Sequence, residues 1–212
     1  MEKIFSTAYT LPLLVALAAS LVIIPVLVRF SHSLGLVDKP DHRKLHKTSV
    51  PAVGGIAILA AIIISVLFSG NALAFIRQQP VLIISSVLLM ITGVLDDRMN
   101  IRPLYRLFIQ MGCSFALAAS GIRLTSLYGF LGIGEIGLVW QYVLTILVIT
   151  GATNAFNLID GIDGLAGGLA IINITVMSVI SIQTGNMALL SLLLVIAGGL
   201  LGFLKNNISP AR

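Results

Sequence analysis

The fold class is decided by the stretch Leu11-Pro-Leu-Leu-Val-Ala-Leu-Ala-Ala-Ser-Leu-Val-Ile-Ile-Pro-Val-Leu-Val28, which contains no charged side chain. A membrane-spanning helix needs roughly 20 mostly apolar residues, with a range of about 17–25. The run is too long for the apolar region of a typical signal peptide, and no clear small-residue cleavage site follows it. We therefore expect it to be a membrane-spanning helix.

Six further apolar runs of 15 to 18 residues follow along the 212-residue chain. They lie at 53–68, 81–95, 104–120, 138–153, 165–182 and 187–204. Hydrophobic residues make up 58% of the sequence and charged residues 10%, whereas a soluble domain carries about 25% charged residues. The sequence therefore predicts an all-α, polytopic membrane helix bundle of about seven transmembrane helices. Residues 1–212 are expected to form a single integral membrane domain.

Basic residues are distributed unequally between the two sides that seven spans would create. Ten of the thirteen lysines and arginines fall on one side of the membrane and three on the other. Because cytoplasmic loops carry the excess of Lys and Arg, the richer side is expected to be cytoplasmic. The same side receives all six aspartates, namely Asp38, Asp41, Asp96, Asp97, Asp160 and Asp163. The net charge of +5 thus indicates orientation in a lipid bilayer, and no nucleic-acid partner is expected.

The only long polar stretch, 29–52, contains a dense group of cations that includes Arg43 and His46. One interpretation is an ordinary positive-inside loop at the lipid surface. Another is a binding site for a phosphorylated lipid or an anionic nucleotide, because clustered cations beside the headgroups attract phosphate. A zinc site that uses His32, His42 and His46 has only two ligands at helical spacing and no obvious further one.

Asp96 and Asp97 close the third apolar run, directly before Arg98. Two adjacent carboxylates at the end of a membrane helix are costly unless they are solvated, paired or bound to a cation. The structural interpretation is a solvated helix end paired with Arg98. The functional interpretation is a site for Mg²⁺ or phosphate chemistry, because Mg²⁺ typically binds one or two carboxylates together with substrate phosphates.

The most informative stretch reads Asn154-Ala-Phe-Asn157-Leu-Ile-Asp160-Gly161-Ile-Asp163-Gly164. Its four polar residues recur every three positions, so helical or near-helical backbone would place them on one face. The glycines allow the backbone to break or to approach a ligand closely. The apolar run that follows would offer free N–H groups to an anion. Carboxylates for a metal and amides for hydroxyl or phosphate groups are therefore expected to converge here.

Four stretches together resemble the bacterial polyprenyl-phosphate N-acetylhexosamine-1-phosphate transferases. They are Gly35-Leu-Val-Asp-Lys-Pro-Asp-His-Arg-Lys-Leu-His46, Pro51-Ala-Val-Gly54-Gly55, Gly93-Val-Leu-Asp96-Asp97-Arg98 and the stretch 154–164. The first is more similar to the branch that begins O-antigen, enterobacterial common antigen and teichoic acid linkage units than to the muramoyl-pentapeptide branch. The resemblance covers the whole chain, and the last stretch is highly specific.

The resemblance implies a phosphoglycosyl transferase in the bacterial inner (cytoplasmic) membrane. Such enzymes transfer a sugar 1-phosphate from a UDP-N-acetylhexosamine to undecaprenyl phosphate on the cytoplasmic face, release UMP and use Mg²⁺, for which Mn²⁺ can substitute. By position, the expected catalytic residues are Asp96 and Asp97 at the lipid phosphate, with Asp160 and Asp163 as metal ligands. The expected substrate-binding residues are Arg43, His46, Lys47, Asn154 and Asn157. The resemblance leaves a homodimer open.

Members of this family continue beyond the part that matches residues 1–212. They carry a Gly-Asp motif with another metal-binding aspartate and then a His-rich cytoplasmic loop, and neither motif is found in this sequence. The first alternative is therefore an inactive remnant that at most binds lipid phosphate, in which Gly198, Gly199 and Gly202 face lipid. The second alternative is an ion-coupled transporter, which predicts acids near the membrane midplane rather than at helix ends.

Overall fold

The computed structural model describes residues 6–34, 37–38, 50–51, 53–99, 101–160 and 162–208. Within these ranges the chain forms eight α-helices and one pair of two-residue strands. The helices are α1 (Thr7–Leu34), α2 (Gly54–Val66), α3 (Gly70–Gln78), α4 (Pro80–Met99), α5 (Pro103–Ala119), α6 (Leu138–Ile159), α7 (Leu165–Gln183) and α8 (Met187–Asn207). The strands β1 (Val37–Asp38) and β2 (Val50–Pro51) pair in antiparallel orientation, with Val37 opposite Pro51.

The helical membrane architecture is confirmed, and the chain is a multi-pass membrane protein. Among the described residues, α1, α4, α6, α7 and α8 are each long and apolar enough to cross a membrane. The pair α2 and α3, which meet at 111°, raises the number to six if it counts as one broken span. With 17 residues, α5 stands at the lower end of the spanning range. The structure therefore gives five or six clear membrane spans within the described residues, and the expected number of about seven transmembrane helices is approximate.

The second apolar run, 53–68, is not one continuous span. Helix α2 ends at Val66 after 13 residues, which is about 20 Å of helix. The hydroxyl of Ser69 then accepts a hydrogen bond from the N–H of Ala72 at 3.2 Å and lies 2.8 Å from the Ser191 hydroxyl. Because a serine at this position satisfies a free N–H at the start of a helix, a new helix, α3, begins here in a new direction.

The chain divides by its packing into two compact units, one of residues 1–78 with 159–212 and one of residues 79–158. In the first unit, α8 packs against α1, α2, α3 and α7. Two packing units can belong to one membrane domain, so the expected single integral membrane domain stays a prediction.

Small residues bring α8 close to its neighbours in the first unit. Gly198, Gly199 and Gly202 are all buried. A Cβ atom on Gly198 would clash with the carbonyl oxygen of Leu13, and one on Gly202 would lie 2.6 Å from the Cβ atom of Ser20. The Ser20 hydroxyl donates to the carbonyl oxygen of Gly199 at 2.8 Å. The expectation that these glycines face lipid is therefore wrong, because they form the close helix–helix contacts that small residues allow in membranes.

The second unit consists of α4, α5, α6 and the segment that joins α5 to α6. This segment forms a short hairpin, in which Ser126 bridges Glu135 and the N–H of Leu127 donates to the carbonyl oxygen of Gly134 at 2.9 Å. The hairpin closes one end of the unit. The C-termini of α4 and α6 and the N-terminus of α5 therefore lie at the other end, which holds the polar residues described next.

Candidate active site

The residues predicted for the site fall into three groups. Four belong to the second unit, namely Asp96, Asp97, Asn154 and Asn157. Two belong to the first unit, namely Asp160 and Asp163. Three lie outside the described residues, namely Arg43, His46 and Lys47.

Asp96 is held by an arginine from the neighbouring helix. It lies near the C-terminus of α4, and its Oδ2 atom accepts a charge-assisted hydrogen bond from Nη1 of Arg106 in the first turn of α5. The two side chains are only 16% and 24% exposed, respectively. Nη2 of the same guanidinium donates to Oδ1 of Asn157 at 3.3 Å. Arg106 therefore links the polar ends of α4, α5 and α6.

The partner of Asp96 is not the adjacent Arg98 that the structural interpretation of the sequence favoured. Residues two positions apart on a helix do not face each other, so Arg98 and Asp96 are poorly placed to pair. Arg106 reaches Asp96 from a facing helix instead. The interpretation of a solvated helix end is wrong for Asp96, whose side chain is largely buried.

One oxygen of the Asp96 carboxylate, Oδ1, is buried and has no hydrogen-bond partner among the residues that the structure describes. Although Arg106 pairs with the other oxygen, a buried carboxylate oxygen that accepts no hydrogen bond leaves part of the desolvation cost of the group without compensation. Asp96 therefore presents an acceptor that a substrate proton donor or a cation would satisfy.

A second polar contact fixes Asn154. Its Nδ2 atom donates to Oε1 of Gln110 at 2.7 Å and to the carbonyl oxygen of Thr150 at 2.9 Å. One turn further along α5, the Ser114 hydroxyl donates to the carbonyl oxygen of Gln110 at 2.8 Å and lies 3.1 Å from the Thr150 hydroxyl. Gln110, Ser114 and Thr150 are buried. These interhelical hydrogen bonds hold α5 against α6 beside the Asp96–Arg106 pair.

Arg106 and Gln110 are missing from the site that the sequence predicts. They stand four residues apart on α5, and therefore share a helix face with each other and with Ser114. The signal was present in the apolar run 104–120, because polar and charged side chains within a membrane span usually face the interior of the bundle. In the sequence, Arg106 is distinguished only as one of the ten basic residues expected on the cytoplasmic side.

Asp160 and Asp163 lie in the turn between α6 and α7. Gly164 immediately precedes α7 with a φ angle of +73°, a left-handed conformation that glycine adopts without steric cost. The prediction that glycine breaks the backbone here is confirmed for Gly164, whereas Gly161 lies outside the described residues.

The four polar residues of the stretch 154–164 do not share one helix face. Asn154 and Asn157 belong to the last turns of α6, but the helix ends at Ile159, before Asp160 and Asp163. The prediction of one continuous face is therefore wrong for the two aspartates. A three-residue spacing in the sequence persists whether or not the backbone stays helical, so the spacing could not show where the helix ends.

The protein disfavours the charged form of the Asp160 carboxyl. Much of the residue is exposed to solvent, yet partial desolvation of its carboxyl by the protein raises the pKa of Asp160 above its ordinary value. Desolvation disfavours the charged form, which a bound cation would restore. No group of three His, Cys, Asp or Glu side chains within the described ranges is arranged to hold a metal. Mg²⁺ commonly takes one or two carboxylates and completes its shell with water and substrate phosphates, so Asp160 and Asp163 fit Mg²⁺ as donors.

Comparison with known proteins finds relatives that are named as enzymes acting on a phosphorylated lipid. The model of glycosyl transferase family 4 matches residues 79–212. The chain is 34% identical over 200 residues to a probable undecaprenyl-phosphate N-acetylglucosaminyl 1-phosphate transferase of Bacillus subtilis, covering 94% of this chain and 55% of that protein.

Two proteins named undecaprenyl-phosphate alpha-N-acetylglucosaminyl 1-phosphate transferase also match. The one from Yersinia pestis is 32% identical over 158 residues, which are 74% of this chain and 42% of that protein. The one from Escherichia coli strain K12 is 31% identical over 103 residues, which are 49% and 27%. The chain thus spans about half the length, or less, of the curated relatives that it matches.

Proposed function

Because this chain belongs to glycosyl transferase family 4, we propose that the protein transfers N-acetylhexosamine 1-phosphate from a UDP-N-acetylhexosamine to undecaprenyl phosphate and releases UMP. The names of the relatives support N-acetylglucosamine as the sugar and undecaprenyl phosphate as the acceptor. The reaction takes place at the cytoplasmic face of the bacterial inner membrane, and its product begins a cell-envelope polysaccharide. The observation that carries the proposal is the largely buried Asp96–Arg106 pair at the polar end of a membrane helix unit.

In this reaction an oxygen of the lipid phosphate attacks the β-phosphorus of the UDP-sugar. A new P–O–P linkage forms, and the bond between the two phosphates of UDP breaks, so that UMP leaves. Phosphoryl transfer depends mainly on in-line positioning and on the neutralisation of charge. The chain therefore needs side chains that orient the acceptor phosphate and cations that offset its charge.

Asp96 and Asp97 act at the lipid phosphate. A phosphate monoester that carries one proton can donate it to the unsatisfied Oδ1 atom of Asp96, which orients the phosphate and leaves its other oxygens free to attack. The proton moves to the carboxylate as the new linkage forms. The neighbouring Arg106 offsets the repulsion between the carboxylate and the phosphate.

Asp160 and Asp163 would hold Mg²⁺, or Mn²⁺ in its place, and the bound ion would neutralise charge on the diphosphate. Asn157 contributes its Nδ2 group for the phosphates of the nucleotide sugar. Asn154 contributes its Oδ1 atom for a hydroxyl, because its Nδ2 group already donates to Gln110 and Thr150. Arg43, His46 and Lys47 add positive charge for phosphate binding.

The test uses the full-length protein, purified in detergent and supplied with undecaprenyl phosphate, Mg²⁺ and UDP-N-acetylglucosamine labelled with ¹⁴C in the sugar. We expect label in the organic phase only when the acceptor lipid is present, and we expect EDTA to abolish it. A protein that binds undecaprenyl phosphate but never transfers label would be a lipid-binding protein, and the proposed function would be wrong.

A further inference from the structure

We propose that Arg106 is a positioning residue, which orients the Asp96 carboxylate for a lipid phosphate monoester. This inference rests on the proposed function, because it assigns Asp96 to the acceptor phosphate. The arginine holds one oxygen of Asp96 through Nη1 and is itself held by Asn157 through Nη2. Its action on the substrate therefore passes through Asp96.

The geometry requires an arginine rather than any cation. The guanidinium is planar and presents several N–H donors in a fixed fork. Here two of its nitrogen atoms reach residues on two different helices, Asp96 on α4 and Asn157 on α6. A lysine ammonium could neutralise Asp96, but it is a compact point charge and would not fix the plane of the carboxylate in the same way.

The two oxygens of Asp96 have unequal surroundings, and this inequality separates a positioning role from a structural one. A pair that served stability alone would gain from satisfying both oxygens, because buried charges are costly unless they are fully hydrogen-bonded. Instead, Oδ2 is bound by Arg106, and Oδ1 is buried without a partner among the described residues. Arg106 thus determines which oxygen remains as an acceptor.

The neighbouring hydrogen bonds keep the arginine in place. Asn154 is one turn before Asn157 on α6 and binds Gln110, which is one turn after Arg106 on α5. The Ser114 and Thr150 hydroxyls continue this contact into the unit. Because these bonds fix α5 against α6, they also fix the distance over which Arg106 reaches Asn157.

A double-mutant cycle of Arg106→Ala and Asp96→Asn in the full-length protein tests the inference. If Arg106 acts through Asp96, Arg106→Ala lowers kcat/KM for undecaprenyl phosphate by about 10²-fold alone, but by less than about 3-fold in the Asp96→Asn background. Because Arg106 also binds Asn157, which is proposed for the nucleotide sugar, the KM for UDP-N-acetylglucosamine should change as well, but by less than kcat/KM for undecaprenyl phosphate. Arg106→Lys should restore part of the loss, since it returns the charge without the fork.

Arg123→Ala is the matched control. Arg123 is half-buried, donates from Nε to Oε1 of Gln141 at 2.8 Å and lies over the ring of Tyr142, 5.6 Å from its centroid, at the hairpin end of the same unit. Its removal should lower the melting temperature without changing the kinetics with undecaprenyl phosphate. If Arg106→Ala fails to fold, the same double-mutant cycle with Arg106→Lys measures the coupling between Arg106 and Asp96.

Several outcomes would overturn the inference. Additive losses in the double mutant would show that Arg106 acts independently of Asp96, and an Arg106→Ala protein that only melts earlier, like Arg123→Ala, would show a structural role. A wild-type protein without transfer activity would refute the proposed function instead. Direct binding of undecaprenyl phosphate would then test the positioning role of Arg106 separately. Weaker binding by Arg106→Ala but not by Arg123→Ala would support this role, and equal binding by the two variants would refute it.

Discussion

Among single residues, Asp96 has the most specific surroundings, and its substitution therefore gives a distinctive prediction. Asp96→Asn keeps the size of the side chain but removes the charge that pairs with Arg106. We expect kcat/KM for undecaprenyl phosphate to fall by about 10²-fold, on the scale of losing one main electrostatic contact in a transition state. Steady-state kinetics with each substrate varied in turn would measure it. A change confined to UDP-sugar affinity would mean that the two aspartate pairs have exchanged roles.

The second residue-level prediction concerns the expected metal ligands. Asp160→Asn and Asp163→Asn should each lower turnover by about 10²-fold and raise the Mg²⁺ concentration needed for half-maximal activity. Expression should be retained, because both residues lie in a turn rather than in a packed helix. Glu135→Gln, an acid in the hairpin of the other unit, is the matched control. Near-normal turnover of both variants at limiting Mg²⁺ would contradict the assignment.

The sequence revealed the carboxylates and amides but not what holds them. Asp96, Asn154 and Asn157 were found because polar residues stand out at the ends of apolar runs. Arg106 and Gln110 were missed, since their partners come from other helices. Pairing across helices depends on how each helix is rotated about its axis and on how deep each residue lies in the membrane. Spacing along one chain contains neither quantity.

Among the helices, α8 depends most on close packing, and two adjacent glycines provide a controlled test. Gly198→Ala should destabilise the protein by about 1–3 kcal/mol, the usual cost of overpacking, because the new Cβ atom would clash with the backbone of Leu13. Gly199→Ala should have little effect, since its Cβ atom would lie 3.6 Å from Ile58, an ordinary contact. Thermal unfolding in detergent would measure both. Equal stability of the two variants would contradict the packing described for α8.

The helices themselves were largely predictable from apolar runs, because a span must satisfy its own backbone hydrogen bonds within the membrane. The break between α2 and α3 was not predictable in this way, since it depends on a hydrogen bond to the hydroxyl of Ser69 and not on the apolar character of the run. The end of α6 at Ile159 was also missed, because the regular spacing of polar residues continued past it. The role of the α8 glycines was assigned to lipid contact because small residues suit both lipid-facing and helix-facing positions.

At the scale of the whole molecule, a reaction that uses both aspartate pairs requires them on one side of the membrane. Single cysteines at Ser49, Arg102 and Ile162, in a Cys113→Ala background, should react with an impermeant reagent only after intact cells are permeabilised. A cysteine at Thr125, next to the hairpin, should react from outside and serves as the control. External labelling of any of the first three positions would contradict the orientation expected from the basic residues.

The central claim is that a phosphorylated sugar, not a sugar alone, moves to the lipid. The most direct measurement supplies the full-length protein with UDP-N-acetylglucosamine carrying ³²P in the β-phosphate and ¹⁴C in the sugar, together with undecaprenyl phosphate and Mg²⁺. We predict that both labels enter the lipid in the ratio of the donor, that unlabelled UMP appears in equal amount, and that Asp160→Asn reduces all three together. Transfer of ¹⁴C without ³²P, with release of UDP, would contradict the account, as would the absence of either label from the lipid.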